Sequence, residues 1–260
     1  MKRYLFNYQT IVTFTEPVFN HSILLRCQPA MGTYMTVDEE HLVMSPGFMC
    51  NRSIDQLHNR IVYGSMREPH TSLAYVSTGI VSMNPYVMRT EREPNPVFRI
   101  QTKYTDIGNA GDNSHSVAAE LEYEGSVADM AMDICHKVYS MMTYVPFSTN
   151  VDTKAAEVIN TRQGVCQDYA HLMIGYCRAA DIAARYVCGF MEGTGETHAW
   201  VEVYDGYSWI AFDPTNDCRI VYGYVKIAHG RDASDCPVSR GMYGGGALQQ
   251  TQINVTLKEI

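Results

Sequence analysis

Asp205-Gly206 lies between two strand-like runs and constrains this chain more tightly than any other pair of residues. Residues 197–204 alternate apolar and polar, and Ser208 to Phe212 form a second run. Asp-Gly between such runs is the strongest short signal for a hairpin closed by a two-residue type I′ turn. Folding about it pairs Tyr204 with Tyr207, Glu202 with Trp209, Trp200 with Ala211, and His198 with Asp213. Directly opposed residues carry Cβ atoms about 4.5–5.5 Å apart, within reach of a histidine–carboxylate hydrogen bond. The period of two sends Ala199, Val201, Val203, Ile210 and Phe212 to the other face as core.

A second feature precedes the hairpin. In Gly164-Val165-Cys166-Gln167-Asp168-Tyr169-Ala170-His171 a glycine breaks the chain, and Ala170, Met173, Ile174, Cys177 and Ala180 then recur at helical spacing. A thiol in the first turn of a helix meets free N–H groups and the positive end of the helix dipole, which favours thiolate. The same N–H groups are placed to donate to an oxyanion. Cys166, His198 and Asp213 in that order are therefore the parts of a thiol nucleophile, its base and the group that orients the base. This reading turns both hairpin side chains toward the Cys166 helix. Asp168 suits the helix dipole but would oppose a thiolate at close range, so it is expected to point away from the sulfur.

The runs GVCQDYAHL, AARYVCGF, HAWVEVY and WIAFDPTN resemble the bacterial transglutaminase-like superfamily of candidate cysteine proteases. The segments Ile227–Asp232 and Pro237–Gly241 look like the family's closing segment, so the likeness covers most of residues 125–260. It implies a core related to papain and to animal transglutaminases, with Cys166 as nucleophile, His198 as base and Asp213 as orienter. The earlier part of the chain resembles the N-terminal domain that often precedes this core, on Asp55, Asn59, Ile61, Tyr63, Glu68-Pro69-His70, Leu73 and Val81. It departs from that pattern at Tyr8, where the family has His, and at His58, where it has Gly. These departures bear on local turn geometry.

The rest of the chain fits this division. Residues 4–14 alternate as a half-buried strand does, and strand-like runs at Ser22–Cys27, Glu40–Met44, Arg60–Met66 and Leu73–Met83 are separated by Pro, Gly and Asn clusters. Three prolines in 84–96 and the charged run Arg89–Glu93 read as a linker or crossing segment, Val97–Tyr104 as one more strand or an extended stretch, and Gly108–Asn113 as a loop. Ser126 and Asp129 open a helix with an apolar face of Val127, Met130, Ala131, Ile134, Val138 and Met141. A short helix runs from 152 or 153 to Asn160. Tyr144 precedes the Cys helix in a Tyr-x-Pro segment, either as an oxyanion donor or as packing. Trp200 shares the His198 face and either walls the cleft or covers the sheet. His70 reads as a structural residue at a strand end. Ala184–Phe190 is a buried strand, Gly193–Glu196 a loop, Gly241–Gly246 a turn, and Gln249–Leu257 a last alternating strand.

The fold class expected is α+β: an N-terminal antiparallel β domain over 1–84, then a papain-like, transglutaminase-like core over 85–260 that includes the C-terminal strand. A net charge of −8 without a Lys/Arg run argues against a nucleic-acid partner. No apolar run is long enough to span a membrane, and the N-terminus lacks the pattern of a signal peptide. Eight cysteines without a C-x-x-C pair fit a reducing cytoplasm and imply neither a metal site nor another cofactor. The expected partner is a peptide or amide substrate, cleaved by water or transferred to an amine. A core kept as a non-catalytic interaction module is the alternative. The sequence sets no oligomeric state.

Overall fold

A computed structural model of the chain describes residues 1–90, 93–108 and 125–260. Residues 91–92, inside the charged run Arg89–Glu93, and residues 109–124, with most of the loop expected over Gly108–Asn113, lie outside the described residues.

β1 (Lys2–Leu25) is one strand where two were expected, and the first sheet is built on it. Tyr4, Phe6, Tyr8, Thr10, Val12 and Phe14 are all buried, as period-two alternation requires. Pro17 cannot donate to a ladder, and there the pairing jumps from Thr13 opposite Ser72 to Val18 opposite His70. Before this bend β1 pairs with β5 (His70–Met83), which in turn carries β2 (Met35–Ser45). Beyond it β1 pairs with β4 (Arg60–Met66), which carries β3 (Met49–Ile54).

The second sheet runs in the order β13 (Cys218–Ile220), β12 (Ser208–Asp213), β11 (His198–Tyr204), β9 (Ala184–Met191), β14 (Tyr224–Gly230), and β6 (Val87–Arg89) also pairs with β12. α1 (Val127–Met141), α2 (Ala155–Thr161) and β11 pack against α3 (Cys166–Ala179). Ser126 and Asp129 close the expected capping box on α1. Every residue of α3 from Asp168 to Arg178 is buried, so it is a core helix enclosed on all sides. Val97–Tyr104 forms neither a strand nor one continuous extended stretch. Asn95 accepts from the Val97 N–H at 3.1 Å and starts a 3₁₀ turn over Pro96–Arg99.

The C-terminal strand is corrected from the core to the first sheet. β16 (Gln249–Glu259) lies along the first half of β1, with Tyr4 opposite Glu259 and Phe14 opposite Gln249. Its Val255 and Leu257 are buried, which requires the apolar side of that sheet. Residues 241–244, the first part of the segment expected as a turn, belong to β15 (Ser239–Gly244), which pairs with the second half of β1. Part of the expected loop 193–196 is β10 (Gly193–Gly195), paired with β16.

The two sheets share one apolar core, in which Phe190 meets the rings of Phe6 and Tyr8 at 5.8 and 5.2 Å. They are also tied by polar bonds. Asp55 accepts from the Leu57 and Asn59 N–H groups and from Arg26. Asn59 then exchanges two 2.8 Å bonds with the backbone of His229 on β14. The turn that presents Asn59 holds His58 at φ +65°, the left-handed region that glycine occupies without strain. His70 stacks on His21 within a ring of Phe14 and Phe48 and bonds it at 3.0 Å, a structural role at a strand end as expected.

Candidate active site

The hairpin forms with its register shifted by two residues. Tyr204 lies opposite Trp209, Val203 opposite Ile210, and Val201 opposite Phe212. Asp205 N–H bonds the Ser208 carbonyl at 3.0 Å, so the turn centres on Gly206-Tyr207 instead of Asp205-Gly206. Only Gly206 of the two has positive φ, at +101°, which is the II′ pattern and not I′. The Asp205 side chain drives this choice by accepting from the N–H groups of both Tyr207 and Ser208. A shift of two keeps every side chain on its face, so His198 and Asp213 become diagonal instead of direct neighbours. Their bond survives: His198 Nε2 lies 2.8 Å from Asp213 Oδ2.

The face assignment also needs correction. Val201 pairs with Tyr186, whose ring is 5.3 Å from His171 on α3, so that side of the sheet faces the helix. Trp200 and Glu202 alternate with it and turn away, toward the Tyr86 hydroxyl. His198 is the first residue of β11 and Asp213 the last of β12. They meet the start of α3 at the end of the sheet, not across its face.

Asp213 is fully buried and accepts five bonds. Oδ2 takes His198 Nε2, the Tyr224 hydroxyl at 2.8 Å and Asn216 Nδ2 at 2.6 Å, while Oδ1 takes the N–H groups of Thr215 and Asn216. Burial pushes this carboxyl up, but the His198, Asn216 and Tyr224 donors outweigh it and hold it below the usual carboxylate range. An ionised carboxylate only accepts, so Nε2 carries the proton and Nδ1 is the nitrogen left for the thiol. Burial lowers the His198 pKa, but the bonds to Asp213 and Cys166 prevail and raise it to about 10.

Cys166 and His198 line a cavity of about 510 Å³ with Tyr144, Pro146, Phe147 and Met191. Asp168 turns back to the N-terminal end of α3. Its Oδ2 accepts from the Val165 N–H at 2.8 Å and the Thr149 hydroxyl at 2.6 Å, closing the first turn of α3. Gly164 makes room for this, since a Cβ there would come within 2.7 Å of Asp168. β7 (Thr143–Tyr144) and β8 (Gln163–Gly164) form a two-residue parallel pair that sets Tyr144 opposite Gly164. Burial raises the Tyr144 pKa, and the charges of Cys166, Glu196 and Asp168 raise it further.

These three side chains fall inside residues 115–214, which match the model of the Transglutaminase-like superfamily, and residues 4–82 match the Bacterial transglutaminase-like N-terminal region. The chain belongs to the transglutaminase-like superfamily. An uncharacterized protein of Mycobacterium tuberculosis strain H37Rv is 30% identical over 222 residues, 73% of this chain and 71% of its own. The crystal structure of a candidate cysteine protease from Cytophaga hutchinsonii superposes with a TM-score of 0.81 at 25% identity, covering 100% of this chain and 91% of that one. A protein-glutamine gamma-glutamyltransferase of Pseudomonas aeruginosa is 29% identical over 145 residues, 49% of this chain and 22% of that protein.

Within this superfamily fold, Trp200 does not wall the cleft. It is fully buried, with its Nε1 donating to Tyr86 at 3.3 Å and its ring 5.4 Å from Tyr224. The sequence does not single out Asn216 or Tyr224 as site residues. Asn216 was legible as a side chain three positions after Asp213 in an Asp-Pro turn. Tyr224 carries no such local signal, because only the pairing of β9 with both β11 and β14 brings it to Asp213. Among the described residues no group of three or more metal-ligating side chains converges.

Proposed function

We propose that this chain is a cysteine peptidase or amidase. The 2.8 Å bond from the buried Asp213 to His198, which lines the cavity with Cys166, carries this reading. The Cys166 thiolate adds to the carbonyl carbon of an amide, and the oxyanion is met by the N–H groups of Cys166 and Gln167, which have no intrahelical partner. Tyr144, half-exposed in the same cavity, is the candidate for a further donor. The imidazolium of His198 gives its proton to the departing amine, leaving a thioester. Water, deprotonated by His198, cleaves the thioester and regenerates the thiol. The likeness to a protein-glutamine gamma-glutamyltransferase favours a second reading, in which an amine takes the place of that water. A reducing cytoplasm is the compartment we propose, because Cys166 must stay a thiol to attack.

Labelling with iodoacetamide followed by mass spectrometry tests the thiol reading. Burial pushes the thiols of Cys27, Cys177 and Cys188 up to about 12, and those of Cys135 and Cys236 upward as well. Cys50 is exposed and serves as the internal reference, and because partial burial raises its thiol pKa too, free N-acetylcysteine is the second reference. Cys166 is expected to react well ahead of Cys50, and equal rates at the two would defeat the proposal.

A further inference from the structure

The cavity at Cys166 has an apolar feature that neither packing nor turn chemistry explains. Phe147 is 100% exposed and lines the cavity. It also stands at φ +62°. The Val145 carbonyl accepts the Ser148 N–H at 3.3 Å, with Pro146 and Phe147 between them. Proline at the second position and positive φ at the third are the pattern of a type II turn, whose third position favours glycine. A large aromatic residue here stabilises nothing by burial and strains its own backbone. Residues held so at the edge of a cleft point to contact with a ligand.

Glu192, Glu196 and Thr194 make part of the cavity polar, so it is the wall beside Phe147 that indicates the kind of side chain it would hold. Tyr144, half-exposed, and Pro146 stand on the same segment, and Met191 lines the cavity from the chain that leads to His198. The segment is anchored, because Val145 N–H bonds the Gly164 carbonyl at 3.0 Å, two residues before Cys166. An apolar wall is thereby fixed relative to the nucleophile.

We propose that Phe147, with Tyr144, Pro146 and Met191, forms a subsite that grips an apolar side chain of a peptide substrate beside the scissile bond. This rests on the thiol acyl-transfer reading of the same cavity. It narrows the substrate from any amide to peptides with a large apolar residue next to the reacting carbonyl.

Two peptidyl vinyl sulfones, alike except for Leu or the nearly isosteric Asn beside the electrophile, test it on the full chain. Iodoacetamide, too small to need the wall, is the reference for each variant. Cys166 of the wild type is expected to take the Leu probe at least about tenfold faster than the Asn probe, the usual discrimination of an apolar pocket. Phe147→Gly should bring the two rates within about twofold while melting no lower than wild type, since glycine relieves the turn. Phe147→Leu should restore most of the preference. No preference in the wild type, a preference that survives Phe147→Gly, or a lower melting temperature for that variant would each overturn the subsite. Failure of iodoacetamide to select Cys166 over Cys50 would instead remove the thiol reading beneath it.

Discussion

Replacing Asp213 with Asn tests the site most directly, because the five bonds to this carboxylate leave an amide one workable orientation. Oδ1 accepts two backbone N–H groups that cannot turn away, so the amide oxygen must stay there. The NH₂ group then takes the place of Oδ2 and faces three former donors. The Tyr224 hydroxyl can rotate to accept and the Asn216 amide can flip. His198 can answer only by moving its proton from Nε2 to Nδ1, the nitrogen that must take the thiol proton. Loss of the right tautomer costs about 10³–10⁴-fold in turnover. Bonds to a charged acceptor contribute about 1.5–3 kcal/mol each, and with Tyr224 and Asn216 partly re-satisfied the net loss should be about 2–4 kcal/mol. At about 2–4 °C per kcal/mol the melting point should fall by about 5–15 °C, leaving the chain folded at 25 °C. Hydrolysis of p-nitrophenyl acetate, followed beside circular dichroism and the melt, separates the two effects. A folded Asp213→Asn variant that keeps turnover within tenfold of wild type would refute the orienting role.

Three further outcomes follow from the same geometry. The His198 pKa is raised from 6.5 to about 10 in the folded chain, so its stabilisation is complete below 6.5 and lost as pH rises through 10; urea titrations across pH 6–11 should show that loss, and His198→Ala should remove it. Glu202 is fully buried, with Lys226 Nζ at 2.8 Å and Arg185 bonded to the same carboxylate oxygen, so Glu202→Gln should cost about 3–5 kcal/mol by leaving two cations unpaired. Burial, and then Arg185, already lower the Lys226 pKa to about 7; the unfolded chain binds more protons above that value, so this variant's melting point should recover as pH rises. Gly164→Ala places a Cβ 2.7 Å from the Asp168 carboxylate and should break the cap on α3, lowering stability by at least about 1–2 kcal/mol and slowing alkylation of Cys166; an unchanged rate would separate the cap from the nucleophile.

The sequence by itself determined what short-range chemistry determines. Gly164 and the apolar spacing after Cys166 set the helix, Ser126 and Asp129 its neighbour's cap, and alternation decided which residues of β11 and β12 share a face, though not which face meets the helix, so Cys166, His198 and Asp213 could be named together. What it missed depends on partners far away in the chain. The Asp205 side chain moved the turn by one residue, a choice between two hairpin types that Asp-Gly alone does not make. Trp200 fits a cleft wall or a core equally well by period, and only the Tyr86 and Tyr224 packed against it decided for the core. The last strand reads the same on either sheet, and it went to the first because β1 offered an apolar side and an open ladder there. Tyr224 reached Asp213 through the order of strands in a sheet. Strand order is set by which edges remain free once every other element has packed, and no local run of residues encodes that.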